Sequence, residues 1–131
     1  MKGFVDDIEV LTDENGNFRR VLYTAKNMQL VLMALRPGEE IGEEVHKDRD
    51  QFFRVEKGVG EISIDGRKTM IKSGTAMIVP AGARHNVINT GAGALKLYTI
   101  YAPPEHADAV VRVTKPDAEA YEEHFGGKTT E

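Results

Sequence analysis

The sequence lacks cysteine entirely and has no long apolar run. Without cysteine there are no disulfide bonds, no thiol nucleophile and no thiolate metal ligands, so any metal must be bound through nitrogen and oxygen. The longest apolar run, residues 30–35, is too short to span a bilayer, and the first residues have no apolar segment typical of a signal peptide. These absences predict a cytoplasmic protein with no membrane partner.

An excess of positive charge is also missing. The formal net charge is -4, with 17 Lys and Arg against 21 Asp and Glu, so no nucleic-acid partner is expected. The 131 residues are 40% hydrophobic and 29% charged, which is typical of a globular protein. We therefore expect a single domain over residues 1–131.

The 13 glycines and five prolines are spread through the chain and separate short runs that read as strands. Many short strands between turn residues are typical of an all-β sandwich or barrel. The clearest hairpin is EISIDGRKTMI, in which Asp65 and Gly66 suit a two-residue turn with positive φ angles. The fold class is predicted to be all-β.

One helix is predicted, near the C-terminus. Thr114 followed three residues later by Asp117 resembles a capping box, and Gly126 suits the residue after a helix end. These signals predict a short helix at about 115–125. The N-terminal stretch FVDDIEVL is predicted to be strand-like and able to pair with a neighbouring chain.

Three side chains that can bind a metal lie close together in the stretch GEEIGEEVHKDRDQFFRVEKG, residues 38–58. Glu44 and His46 are two apart, so on a strand they point to the same face. Gln51 opens the next strand and shares its parity with Phe53 and Val55. If this face points inward, the three donors converge inside a barrel.

A later stretch, GTAMIVPAGARHNVIN, supplies a fourth donor. A strand is predicted to end at Pro80, the chain turns at Ala81 and Gly82, and His85 begins another strand.

These two stretches resemble the two motifs of the cupin family, G-x5-H-x-H-x4-E-x6-G and G-x5-P-x-G-x2-H-x3-N. The second motif is matched at every position, by Gly74, Pro80, Gly82, His85 and Asn89. The first is matched in spacing by Gly38, His46 and Gly58, but Glu44 replaces the usual first histidine and Gln51 the usual glutamate. The resemblance implies a double-stranded β-helix, or jelly-roll, barrel over about residues 18–103, and a homodimer in which the outward Phe52 faces the neighbour.

The resemblance also implies a divalent metal bound by Glu44, His46, Gln51 and His85. The usual single negative charge is retained, because Glu44 restores the charge that Gln51 removes. Two nitrogen and two oxygen donors suit Zn²⁺, Mn²⁺, Fe²⁺ or Ni²⁺. The alternative is that Glu44 points to solvent and the two histidines are hydrogen-bonded core residues.

Candidates for acid–base catalysis lie at the end of the last strand. Tyr101 is in phase with the inward residues of that strand, and His106 follows it near the expected mouth of the barrel. An apolar wall is predicted around the site, formed by Phe53, Val55, Ile62, Ile64 and Ile78.

Three functions fit this pattern. The first is a small metal-dependent enzyme of isomerase or lyase type that acts on a carbohydrate-derived or oxo-acid molecule, since four protein ligands leave two positions of a six-coordinate ion for a bidentate oxygen ligand. The second is a non-catalytic cupin that binds a sugar or another small molecule. The third is a metal-dependent dioxygenase, which the loss of one histidine disfavours.

Overall fold

A computed structural model describes all 131 residues, with ten strands and two short helices. In chain order the elements are α1 (Ile8–Glu14), β1 (Arg19–Thr24), β2 (Gln29–Leu35), β3 (Glu44–Val45), β4 (Asp50–Lys57), β5 (Val59–Ile64), β6 (Arg67–Lys72), β7 (Ala76–Val79), β8 (Arg84–Asn89), β9 (Leu95–Ala102), β10 (Val111–Arg112) and α2 (Lys115–Ala120).

The strands form two antiparallel sheets. One has six strands in the order β10-β1-β2-β9-β4-β7, and the other has four in the order β3-β8-β5-β6. Several neighbours, such as β2 with β9 and β5 with β8, are distant in sequence, as in a jelly roll. The inward side chains of both sheets form one core. The predicted all-β jelly-roll barrel is confirmed.

The predicted hairpin joins β5 to β6. Ile64 pairs with Arg67, and the two residues between them have positive φ angles, 48° at Asp65 and 82° at Gly66. Both angles suit a type I′ turn, whose twist matches that of the flanking strands.

Four of the five residues predicted to form the barrel wall lie in the core or pack against it: Phe53, Val55, Ile62 and Ile64. The prediction for Ile78 is wrong, because its side chain is 68% exposed. Strand β7 buries Met77 and Val79 instead. Since the side chains of a strand alternate between its two faces, Ile78 must point outward.

The outer face of the six-stranded sheet has a row of apolar side chains at matching register: Leu30, Ile100, Phe52 and Ile78. Arg54 and Glu56 lie on the same strand as Phe52 and form an ion pair of 2.7 Å. This is the face that the sequence analysis expected a second chain to cover at Phe52. The homodimer stays a prediction.

Both helices differ from the sequence prediction. The second half of the N-terminal segment predicted to be strand-like is helical: α1 begins at Ile8, where the Asp7 carboxylate accepts a hydrogen bond of 3.1 Å from the Val10 amide and caps the helix. Helix α2 begins as predicted, with Thr114 accepting from the Asp117 amide at 3.2 Å. It ends at Ala120 rather than near residue 125, because Tyr121 leaves the helical conformation, with φ -124° and ψ 72°, and the Phe125 amide donates to the Glu105 carbonyl at 2.9 Å instead.

Neither helix has the length or the apolar character needed to cross a membrane. The cytoplasmic location stays a prediction.

Candidate metal centre

Three of the four predicted metal ligands converge in the barrel. Strand β3 pairs with β8 so that Glu44 lies opposite His85, and His46 follows β3 on the same side as Glu44. The potential ligand atoms of these three residues lie within 4.8 Å of one another. The Gly82 amide in the turn before β8 donates to the His46 carbonyl at 2.8 Å. This hydrogen bond joins the two segments that hold the histidines.

Gln51, the fourth predicted ligand, lies on the inward face of β4 and is 3% exposed. Its Nε2 donates to the Thr99 hydroxyl at 3.0 Å, and that hydroxyl donates its only hydrogen to the Phe52 carbonyl at 2.8 Å. The amide orientation is therefore fixed, since Thr99 has only an acceptor left for Gln51. Gln51 Oε1 is buried and has no hydrogen-bond partner.

An orphaned buried carbonyl oxygen costs free energy unless something binds it. Amide oxygen, carboxylate oxygen and imidazole nitrogen together form a donor set that suits a divalent first-row metal. The residues present therefore fit the metal that the sequence implies.

Glu44 and His46 form an ion pair in which His46 Nε2 lies 2.8 Å from Glu44 Oε2. This hydrogen bond raises the pKa of His46 above its ordinary value, against the opposing effect of burial. Burial also opposes ionisation of Glu44, but the hydrogen bond and the nearby positive charges hold its pKa below the ordinary value. Both ligand atoms therefore face a single point, where a cation can take the place of the shared proton.

His85 is in the form that a metal requires. Burial lowers the pKa of His85, which favours the neutral ring. Its Nδ1 lies 3.3 Å from the Ala83 carbonyl, an acceptor that places the ring proton on Nδ1. The lone pair is thus on Nε2, and a backbone carbonyl fixes the tautomer, as is common for metal-binding histidines.

Glu105 is a residue of this site that the sequence analysis missed. Its carboxylate lies 3.6 Å from His46 Nδ1 and forms an ion pair with Arg49. At this distance the Glu105 carboxylate makes no hydrogen bond to His46, but its charge adds to the effects that raise the pKa of His46. Glu105 lies 59 positions after His46 in the chain, so no local pattern could have indicated it.

Tyr101 and His106, the predicted acid–base candidates, lie next to each other. Tyr101 is 2% exposed and His106 is 7% exposed. His106 Nδ1 lies 2.9 Å from Glu123 Oε1, and its Nε2 lies 3.3 Å from the Tyr101 hydroxyl. Since the Glu123 carboxylate only accepts, Nδ1 donates to it and Nε2 accepts from Tyr101. Both nitrogens of His106 are thus engaged, and burial raises the pKa of Tyr101.

A pocket of about 230 Å³ opens over the metal centre. Its lining residues come from the barrel and from the C-terminal segment: Phe18, Arg19, Ile41, Glu44, His46, Glu105, His106, Lys115, Ala118, Glu119, Glu122, Glu123 and His124. Most of these side chains are polar, so the pocket differs from the apolar one that the sequence predicted. The apolar barrel residues pack against one another in the core instead.

We expect His106 to stabilise the fold more at neutral pH than in mild acid. Burial lowers the pKa of His106 in the folded chain, so as the pH falls below the unfolded pKa of about 6.5 the unfolded chain binds a proton before the folded chain does. The free energy of unfolding therefore falls as the pH falls. Chemical denaturation at about pH 7.5 and about pH 5.5 should show a stability difference between wild type and His106→Gln that shrinks in acid.

The control variant is His124→Gln, which removes an exposed histidine. A difference for His106→Gln that grows in acid would contradict the prediction.

The fold and the motif residues together define a cupin. A family model described as Cupin domain matches residues 31–101, and the chain belongs to this family. Among individual proteins, it is similar to the uncharacterized protein YrkC of Bacillus subtilis, with 45% identity over 93% of this chain and 69% of YrkC. It is also 38% identical to the uncharacterized protein L612 of Acanthamoeba polyphaga mimivirus, over 88% of this chain and 74% of L612.

A crystal structure of BH2720 from Bacillus halodurans has a similar fold, with a TM-score of 0.89 and 43% identity. The similarity covers 92% of this chain and 96% of that one. These relatives support the fold and leave the substrate to be argued from the site.

Proposed function

We propose that this cupin is a metal-dependent enzyme of isomerase or lyase type that acts on a small carbohydrate-derived or oxo-acid molecule. The observation that supports it most is the convergence of the Glu44, His46 and His85 ligand atoms within 4.8 Å, together with a buried Gln51 oxygen that has no hydrogen-bond partner. A structural cluster would satisfy that oxygen internally.

In this proposal Glu44, His46, Gln51 and His85 would hold one divalent ion, which would supply Lewis-acid polarisation of a bound oxygen. The buried Tyr101 hydroxyl holds a proton beside the site, and its ring lies edge-on to His46 at a centroid distance of 5.8 Å. His106 and Glu123 position that hydroxyl, because Glu123 fixes the tautomer that accepts from it.

The test is metal binding by the wild-type chain. Protein purified without a histidine tag is stripped with a chelator and titrated with Mn²⁺, Fe²⁺, Zn²⁺ and Ni²⁺ by calorimetry, with metal content measured by plasma mass spectrometry. We expect about one equivalent of at least one ion, as for other single mononuclear sites, and a higher melting temperature with it. Absence of binding by all four ions would contradict the proposal.

A second candidate is a non-catalytic cupin that binds a small molecule. The engagement of both His106 nitrogens and the burial of Tyr101 favour it, since neither group has a proton donor free for a ligand. Assays of the metal-loaded protein with sugar phosphates, uronates and oxo acids discriminate the two. Turnover of any of them excludes the binding protein, and saturable binding without turnover supports it.

A further inference from the structure

Arg19 is a buried cation in the wall of the pocket. It opens β1 and has the same parity as Val21, which is buried in the core, so its side chain points inward. The side chain is only 12% exposed, and it lines the same pocket as Glu44 and His46.

No carboxylate of the protein lies within hydrogen-bond distance of Arg19, although its charge helps to lower the pKa of Glu44. Its nearest carboxylate belongs to Glu123 and lies 3.8 Å from the guanidinium, beyond hydrogen-bond distance. That carboxylate already bonds His106 at 2.9 Å and Arg112 at 3.2 Å. The Nε of Arg19 is buried without a partner. Burying such a cation costs free energy that an anion can recover.

Arg49, whose Nε is also buried without a partner, differs from Arg19 in having a carboxylate within hydrogen-bond distance of its guanidinium. Its guanidinium forms a hydrogen-bonded ion pair with Glu105 and lies 3.4 Å from Asp48. Arg19 has no equivalent contact, so its guanidinium is available to a ligand. The planar fork of a guanidinium matches the two oxygens of a carboxylate.

We propose that Arg19 binds the carboxylate of the substrate, which would then be a small 2-oxo or 2-hydroxy acid rather than an uncharged sugar. This inference rests on the proposed function, since the metal centre would hold the neighbouring oxygen. A volume of about 230 Å³ lies below the range of pockets for drug-sized ligands. Five carboxylates but only two fixed cations, Arg19 and Lys115, line the pocket, so a dianion such as phosphate is repelled more strongly than a monocarboxylate.

The proposal is tested by calorimetric titration of the Zn²⁺-loaded chain with pyruvate, lactate and glycolate. Hydroxyacetone is the uncharged comparison, and inorganic phosphate is the dianion. Arg19→Gln is compared with Arg20→Gln, which makes the same change at the adjacent, exposed position. We expect the affinity for the carboxylates to fall about tenfold or more in Arg19→Gln, since a charge-assisted bidentate contact is lost. The affinity for the carboxylates should not change in Arg20→Gln. The affinity for hydroxyacetone should not change in either variant.

Equal carboxylate affinity in Arg19→Gln and wild type overturns the proposal. It is also overturned if the wild type binds none of the three acids, or if it binds phosphate more tightly than it binds them. If Arg19→Gln does not fold, Arg19→Lys keeps the charge and removes the fork, and a carboxylate affinity equal to wild type would overturn it equally. Metal content is measured for each sample. If the wild type binds no metal but binds carboxylates through Arg19, the proposed function fails and the anion site stands.

Discussion

Replacing His85 with alanine is expected to reduce the bound metal from about one equivalent to below about one tenth, measured by plasma mass spectrometry after equilibration with micromolar metal. His85 is the only one of the four proposed ligands that β8 supplies, and burial already favours its neutral form through a lowered pKa. Its removal leaves Glu44 and His46 paired with each other at 2.8 Å. A metal ion would then have only two oxygen donors and one imidazole, and it would have to displace that ion pair to bind them.

The control for this change is His124→Ala, because His124 is 76% exposed in its side chain and lies on the rim of the pocket. That variant should retain the metal of the wild type. If His85→Ala also retained a full equivalent, the site would lie elsewhere in the chain and the proposed function would lose its basis.

Replacing Gly58 with alanine is expected to lower the free energy of unfolding by about 3 kcal/mol, measured by urea denaturation of the metal-free protein. Gly58 has a φ of 93°, and a Cβ atom there would lie 2.5 Å from the Ala94 carbonyl oxygen and 3.0 Å from the Leu95 Cα. Both are backbone atoms at the start of β9, so relief of the contact requires the sheet to shift. The cost combines a left-handed backbone and overpacking.

Gly38 separates the two causes. It is the first glycine of the same motif and has a φ of 81°, but a Cβ atom there would meet nothing within 4 Å. Gly38→Ala should therefore cost only about 1 kcal/mol, for the backbone conformation alone. Equal losses in the two variants would show that the approach of β9 has no part in the requirement for glycine at position 58.

The strands could be predicted because their signals are local. Alternation along β4 and β9 and the turn at Asp65 and Gly66 determine side-chain direction without reference to distant residues. The outward Ile78 could not be predicted, because a four-residue strand is too short to reveal which of its two faces is buried. Helix α1 was missed because its cap, Asp7, is the second of two adjacent aspartates, which also suit a turn.

The candidate metal centre was predictable to the extent that motif spacing places its ligands on strands of the barrel. The spacing indicated Glu44, His46 and His85, which the structure brings together, and Gln51, which is buried on β4. The groups around them were not predictable. Glu105 and Glu123 reach the site from outside the barrel strands, so their positions depend on how the chain ends pack on the barrel.

Most of the residues that line the pocket lie outside the region that this protein shares with the cupin family model. The residues matched by the family model, 31–101, include all four proposed metal ligands. Of the residues that line the pocket, only Ile41, Glu44 and His46 lie within that range. Arg19 and the rest of the lining come from the flanking segments. A protein that shares only the matched region therefore inherits the means of binding the ion, whereas its choice of molecule is free to diverge with its ends.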